Sequence, residues 1–73
     1  MKERMKLLDV VALTTDLPER NLKRGQVGTV VEILSDDAFE VEFVDTQGQT
    51  YALLPLRADQ LLLLRFEPLT VAT

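Results

Sequence analysis

The segment AFEVEFV, residues 38–44, decides the fold. In it the apolar residues Phe39, Val41 and Phe43 alternate with the acidic residues Glu40 and Glu42. Successive side chains of a β-strand point to opposite faces, so this period of two is typical of a half-buried strand. It predicts a strand over residues 38–44 that places Phe39, Val41 and Phe43 in the core.

Turn signals bound this strand on both sides. A turn is predicted at residues 35–37, where one serine is followed by two aspartates, and a hairpin turn at residues 45–48. Gly48 suits the hairpin because glycine takes positive φ without steric cost. The apolar and β-branched runs beyond these turns predict further strands at residues 27–34 and 49–54.

Two more strands complete the prediction. Residues 7–16 contain a β-branched apolar run and predict the first strand, which ends before a loop that Pro18 opens. Residues 55–60 predict a short connection with one 3-10 turn, and residues 61–66 the fifth strand. Short strands joined this way predict an all-β domain, a small five-stranded SH3-like barrel.

Three glycines have predicted structural roles. Gly25 and Gly28 flank the start of a β-branched run, and Gly48 lies in the hairpin turn. Strands of a small barrel bend sharply, and glycine permits a bulge or the close approach of another backbone. We therefore expect Gly28 at a bend, at positive φ, or where another chain segment comes close.

The composition limits both the core and the chemistry. The chain has 73 residues, a length that predicts one domain. Its net charge is −4, and it contains no cysteine, histidine or tryptophan. The common general base and the thiolate nucleophile are therefore missing, and the single serine, Ser35, has no evident base beside it. We predict no enzymatic activity and no cofactor.

Metal and nucleotide sites are not expected either. Asp36, Asp37 and Glu40 are close in sequence, but they lack the alternating oxygen ligands of a calcium loop. Gly25 and Gly28 are not followed by the glycine, lysine and hydroxyl residue of a phosphate loop. With no long apolar run and no secretion signal, we expect a cytoplasmic protein.

The order of several motifs resembles a known family. The matching segments are 9–13, 16–19, 22–31, 39–45, 48–50 and 59–62. This set resembles the short bacterial proteins, common in cyanobacteria, that are called domain of unknown function 4926. The resemblance covers residues 8–64, so residues 1–4 and 65–73 are expected to be extensions. It implies a small β-barrel and no established activity.

The leucine-rich end of the chain indicates protein binding. A strand buries one face in so small a barrel, so alternate leucines there either pack under a chain end or form an exposed apolar patch. The candidate interface, with two acidic residues as its rim, consists of Leu61, Leu62, Leu63, Leu64, Phe66, Glu40 and Glu42. The expected function is a non-catalytic interaction module that forms a homodimer or binds a protein partner. One version is an immunity or accessory protein for a neighbouring gene product.

A basic loop provides an alternative from another class. Residues 1–25 carry a net charge of +2 and residues 26–73 a net charge of −6. Arg20, Lys23 and Arg24 form the local basic group, which a weak RNA-binding barrel of the SH3 or KOW type would use. Since the rest of the chain is acidic, we expect nucleic acid to be an unlikely partner.

Overall fold

The structure, a computed structural model, describes residues 4–68 and consists of one antiparallel sheet. The strands are β1 (Val10–Leu13), β2 (Val27–Ser35), β3 (Ala38–Val44), β4 (Thr50–Arg57) and β5 (Leu61–Leu63). They lie in the order β4-β3-β2-β1-β5. Two 3-10 helices, Pro18–Arg20 and Ala58–Gln60, complete the fold, and residues 4–68 contain no α-helix. The predicted all-β, five-stranded class with a 3-10 turn before the last strand is confirmed.

One face of the sheet, the inner face, carries the core. Phe39, Val41 and Phe43 are at most 4% exposed, as their alternation predicts, and Val41 pairs with Val30 of β2. The loop between β1 and β2 closes over this face with Leu17 and Leu22. The complete core cluster is Val11, Leu13, Leu17, Leu22, Val30, Phe39, Val41, Phe43, Leu54, Leu56 and Leu61.

Gly28 lies where another strand approaches closely. An added Cβ would be 2.7 Å from Val41 Cγ1, 2.9 Å from the backbone oxygen of Glu42 and 3.0 Å from Phe43 Cε2. The absence of a side chain at Gly28 therefore lets β3 and its core residues pack against β2. Of the three outcomes expected for Gly28, the structure shows the close approach.

The fourth strand is longer than predicted, because it continues through Pro55 to Arg57. The Ala58 N–H donates to the Asp37 carbonyl at 2.8 Å, so these two residues form a hydrogen-bonded pair. Hydrogen-bonded and non-hydrogen-bonded pairs alternate along an antiparallel ladder. Pro55 and Glu40 consequently form a non-hydrogen-bonded pair, so the Pro55 nitrogen faces the free edge. Proline is tolerated there because the ladder needs no donor from it.

The first and last strands are shorter than predicted. The first begins only at Val10, because residues 6–9 form a turn in which the Asp9 N–H donates to the Lys6 carbonyl at 3.1 Å. Leu8 occupies this turn with φ of +71°, which interrupts extended backbone. The last strand ends at Leu63 rather than residue 66, because its partner strand β1 begins only at Val10. Val10 accepts a hydrogen bond from the Leu64 N–H, and the turn before Val10 offers no further extended residue for pairing.

The edges of the sheet are β4 and β5. Within residues 4–68 no ladder joins these two strands, so the five strands form an open sheet in that range. Two irregularities in the β2–β3 register, after Val30 and after Ile33, bend the centre of the sheet. The closed SH3-like barrel stays a prediction.

Candidate interaction surface

The outer face of the sheet carries a row of apolar side chains that crosses three strands. Ala12 of β1 pairs with Leu62 of β5 on one side and with Val27 of β2 on the other. Leu62 is 56% exposed and Val27 is 47% exposed, whereas the small Ala12 between them is buried. We call these three residues the apolar row.

A second row of outer-face residues lies beside the apolar row. Val10 pairs with Thr29, Thr29 with Glu42, and Glu42 with Leu53. The Leu64 N–H donates to the Val10 carbonyl at 2.9 Å, so Leu64 extends this row on the side of β5. The outer face is thus apolar on β5, β1 and the beginning of β2.

Glutamates occupy the outer face farther along β2 and on β3. Glu32 and Glu40 pair directly across the two strands, and Glu42 follows Glu40 by two residues on the same face. We call these residues the acidic group. Like charges directly opposite each other in a sheet destabilise it.

In the part of the chain that the structure describes, few neutralising groups contact the acidic group. Thr50 Oγ1 donates to Glu42 Oε2 at 2.6 Å. Arg57 is the cation on the outer-face positions of β4, and its Nε pairs with Asp59 Oδ1 at 3.1 Å. Among residues 4–68 no three acidic side chains are arranged so that they could hold a metal ion. The acidic group is therefore a spread negative surface.

The structure separates the leucines of the predicted interface. Leu61 is 7% exposed and belongs to the core, and Leu63 is partly buried against the core. Leu62 points to the outer face, and Leu64 is half-buried beside it. Phe66 is 77% exposed but lies beyond β5. Because side chains alternate along β5, Leu61 is not available on the outer surface.

A pair of exposed leucines lies outside the predicted interface. Leu7 and Leu8 are 57% and 74% exposed at the tip of the turn over residues 6–9. A second hydrogen bond, 2.7 Å from Lys6 N to Asp9 Oδ2, closes this turn, which we call the Leu7–Leu8 turn. Positive φ at its third position matches a type II turn, where glycine is normally required.

The loop between β1 and β2 is held by its backbone. Leu17 and Leu22 exchange two backbone hydrogen bonds of 2.8 and 3.1 Å, and both side chains are buried. The Arg24 N–H donates to Asp16 Oδ1 at 2.8 Å, and Gly25 takes φ of +94°. These contacts define the backbone path of the loop that carries the predicted basic residues.

The cations of this basic loop face solvent. Arg20, Lys23 and Arg24 are exposed, and in the described part of the chain none of them forms an ion pair within 4.0 Å. Asp16 and Lys23 line an open depression of about 350 Å³ beside the loop. The loop thus combines three cations with nearby carboxylates rather than forming a continuous basic stripe.

Sequence reasoning missed Val27, Ala12 and Glu32 as surface neighbours. Their alternation within each strand is visible, but their proximity depends on the register between strands. Gly28 is the usable signal: once it faces the inner side, Val27 must face the outer side. For Glu32 even this signal fails, because an irregularity in the register lies between Val30 and Glu32.

Together these features define a small five-stranded antiparallel β domain with an apolar and acidic outer face. The model of the family described as domain of unknown function (DUF4926) matches residues 7–63, and the chain belongs to this family. None of the curated proteins or solved structures compared with the chain is significantly similar to it. Among the helices in residues 4–68, none has the length and apolar character needed to cross a membrane.

Proposed function

We propose that this protein is a non-catalytic protein-interaction module that binds its partner through the outer face of the sheet. The observation that carries the proposal is the apolar row, in which exposed Leu62 and Val27 flank a buried Ala12. Contiguous exposed apolar side chains rimmed by polar residues mark interaction sites on small proteins. The acidic group forms such a rim.

The edges of the sheet favour binding through the face. Strand addition needs free backbone donors along an edge. On the free side of β4, Pro55 has no N–H, and the Arg57 N–H donates to Gln60 Oε1 at 2.8 Å. The free edge of β5 is only three residues long. Pairing with a partner strand would therefore be short.

The proposal covers two kinds of partner, a second copy of the chain and a different protein. An immunity or accessory protein that caps a neighbouring gene product would be one example of the second kind. In either case apolar contact would stabilise the complex, while the acidic rim would influence the rate of encounter and the specificity.

Two variants of β2 provide a matched test. Val27 and Ile33 are each 47% exposed, but Val27 belongs to the apolar row and Ile33 pairs with inner-face Phe39. The tagged chain is used to capture proteins from its native cell, and each captured protein is purified and titrated against the variants. We expect Val27→Glu to weaken binding at least about tenfold and Ile33→Glu to leave it unchanged. Equal loss in both variants, or no loss in either, would contradict the proposal.

The exposed cations of the basic loop support a second candidate, weak RNA binding through Arg20, Lys23 and Arg24. We expect any such binding to be nonspecific and to decrease steeply with salt, because phosphate contacts release counterions. A gel-shift titration at about 150 mM salt tests this, with Lys23→Gln and Arg24→Gln as variants. Sub-micromolar binding that these changes abolish would favour the RNA-binding function.

A further inference from the structure

We infer that the Leu7–Leu8 turn of one copy of this protein docks on the apolar row of a second copy, with Lys6 placed against the acidic group. The inference rests on the proposed function and names the partner as a second copy of the chain. It depends on three properties of the turn: its strained backbone, its exposure and its charge.

The backbone of the turn is unusual for the residues it holds. Leu8 has φ of +71°, a conformation that leucine rarely adopts. Its N–H donates to the Val30 carbonyl at 2.7 Å, and the two hydrogen bonds between Lys6 and Asp9 close the turn. Strain of this kind persists where the surrounding structure imposes it, and such positions cluster at functional sites.

The two leucines of the strained turn are exposed to solvent. Leu8 is 74% exposed and Leu7 is 57% exposed, so the core gains little from either side chain. Met5 packs against the core and holds the start of the segment in place. The turn therefore presents two leucines to solvent on a fixed backbone, which lowers the entropic cost of docking them.

The charges of the segment complement those of the outer face. Arg4 and Lys6 are exposed, and in residues 4–68 neither forms an ion pair. The acidic group offers three carboxylates on the same face, with Glu42 nearest the apolar row, and the paired Glu32 and Glu40 repel each other. Docked cations would relieve this repulsion.

The dimensions are also compatible. Val27 of the apolar row and Thr29 are two residues apart on β2, and Thr29 pairs with Glu42 on β3. With about 3.4 Å per residue and about 4.8 Å between strands, the backbone positions of Val27 and Glu42 are about 8 Å apart. Lys6 and Leu8 are also two residues apart, at most about 7 Å along the backbone, and the long lysine side chain covers the remainder. The turn can thus place Leu8 on the apolar row and Lys6 against Glu42 together.

The basic loop does not offer the same combination. Its cations Arg20, Lys23 and Arg24 are exposed, but its leucines, Leu17 and Leu22, are buried in the core. The loop could meet the acidic group electrostatically, yet it would leave the apolar row uncovered. Within residues 4–68, the Leu7–Leu8 turn is the better match because it presents apolar and basic side chains side by side.

Sedimentation equilibrium of the full chain over a wide concentration range tests the inference. We expect a monomer–dimer equilibrium that weakens at high sodium chloride, because opposite charges attract across the interface. Leu8→Gly should weaken dimerisation at least about tenfold without lowering the melting temperature at concentrations where the parent is monomeric, since glycine relieves the positive φ. Val27→Glu should weaken it as well. The control Leu34→Ser removes another exposed leucine and should dimerise like the parent.

A charge exchange provides a readout independent of packing. Lys6→Glu and Glu42→Lys should each weaken the dimer, and the double variant should recover most of the affinity. A monomer at every concentration, a dimer indifferent to Leu8→Gly, or no recovery in the double variant would overturn the inference. If the chain is monomeric but Val27→Glu still abolishes capture of a different protein, the inference fails and the proposed function stands.

Discussion

The two faces of the sheet differ in how tightly their side chains are packed. On the inner face, Val41 and Phe43 are fully buried, and even the space above Gly28 is filled by β3. On the outer face, Leu62 and Val27 are half exposed, and two glutamates oppose each other. The inner face is built for stability, whereas the outer face keeps features that cost stability. Under the proposed function, the outer face is the one on which a partner would bind.

The largest effect is expected from Phe43→Ala on the inner face. Removing a fully buried phenylalanine should lower the free energy of unfolding by about 3–5 kcal/mol, enough to unfold much of so small a domain. Thermal melts monitored by circular dichroism measure the change. The next residue, Val44, is 45% exposed, so Val44→Ala should have little effect. Similar melting temperatures for both variants would remove the distinction between the faces.

Gly28→Val should give the next largest loss. The new side chain would meet the Glu42 carbonyl as well as Val41 and Phe43, so side-chain rotation alone cannot relieve the clash. We expect destabilisation of about 1–3 kcal/mol, measured by urea unfolding. Thr29→Val, one residue further on the outer side, serves as the control. A Gly28→Val protein with the stability of the parent would show that the close approach is not needed.

Glu40→Gln on the outer face should stabilise the protein. Removing one charge of the Glu32–Glu40 pair should raise the free energy of unfolding by about 0.2–1 kcal/mol at low salt. A double-mutant cycle with Glu32→Gln isolates the pair, and the gain should shrink when Glu32 is already neutral. Purely additive effects would mean that the two carboxylates do not interact.

Val27→Glu should change stability least. Its side chain is half exposed on the outer face, and surface substitutions usually stay within about 0.5 kcal/mol. Urea unfolding of Val27→Glu beside Ile33→Glu measures this. A loss above about 2 kcal/mol would place Val27 in the stabilising structure and weaken its assignment to an interaction surface.

Most of the core could be predicted from local pattern. The alternation over Ala38–Val44 has one interpretation because only a strand separates its phenylalanines from its glutamates. Pro55 led to a predicted strand end at residue 54 that is too early, because a proline normally ends a strand. Its position on a sheet edge, where it is tolerated, depends on tertiary structure. The Leu7–Leu8 turn could not be found, because it lacks the glycine that signals positive φ.

The candidate surface was only partly predictable for a related reason. Leu62 follows from alternation within β5, but the choice between Leu62 and its neighbours depends on which face meets the core. The proximity of Leu62, Ala12 and Val27 depends on the register of three strands far apart in sequence. Pairing of this kind is set by the whole sheet and leaves no local signal.

Site-resolved photo-crosslinking in the native cell tests the central claim most directly. A photoreactive amino acid is placed at Val27 in one variant and at Ile33 in another, two equally exposed positions on opposite faces of β2. If the outer face is the interaction surface, irradiation should link a protein, either a second copy or a different chain, at position 27 and not at position 33. Equal products at both positions, or products at position 33 alone, would contradict the account.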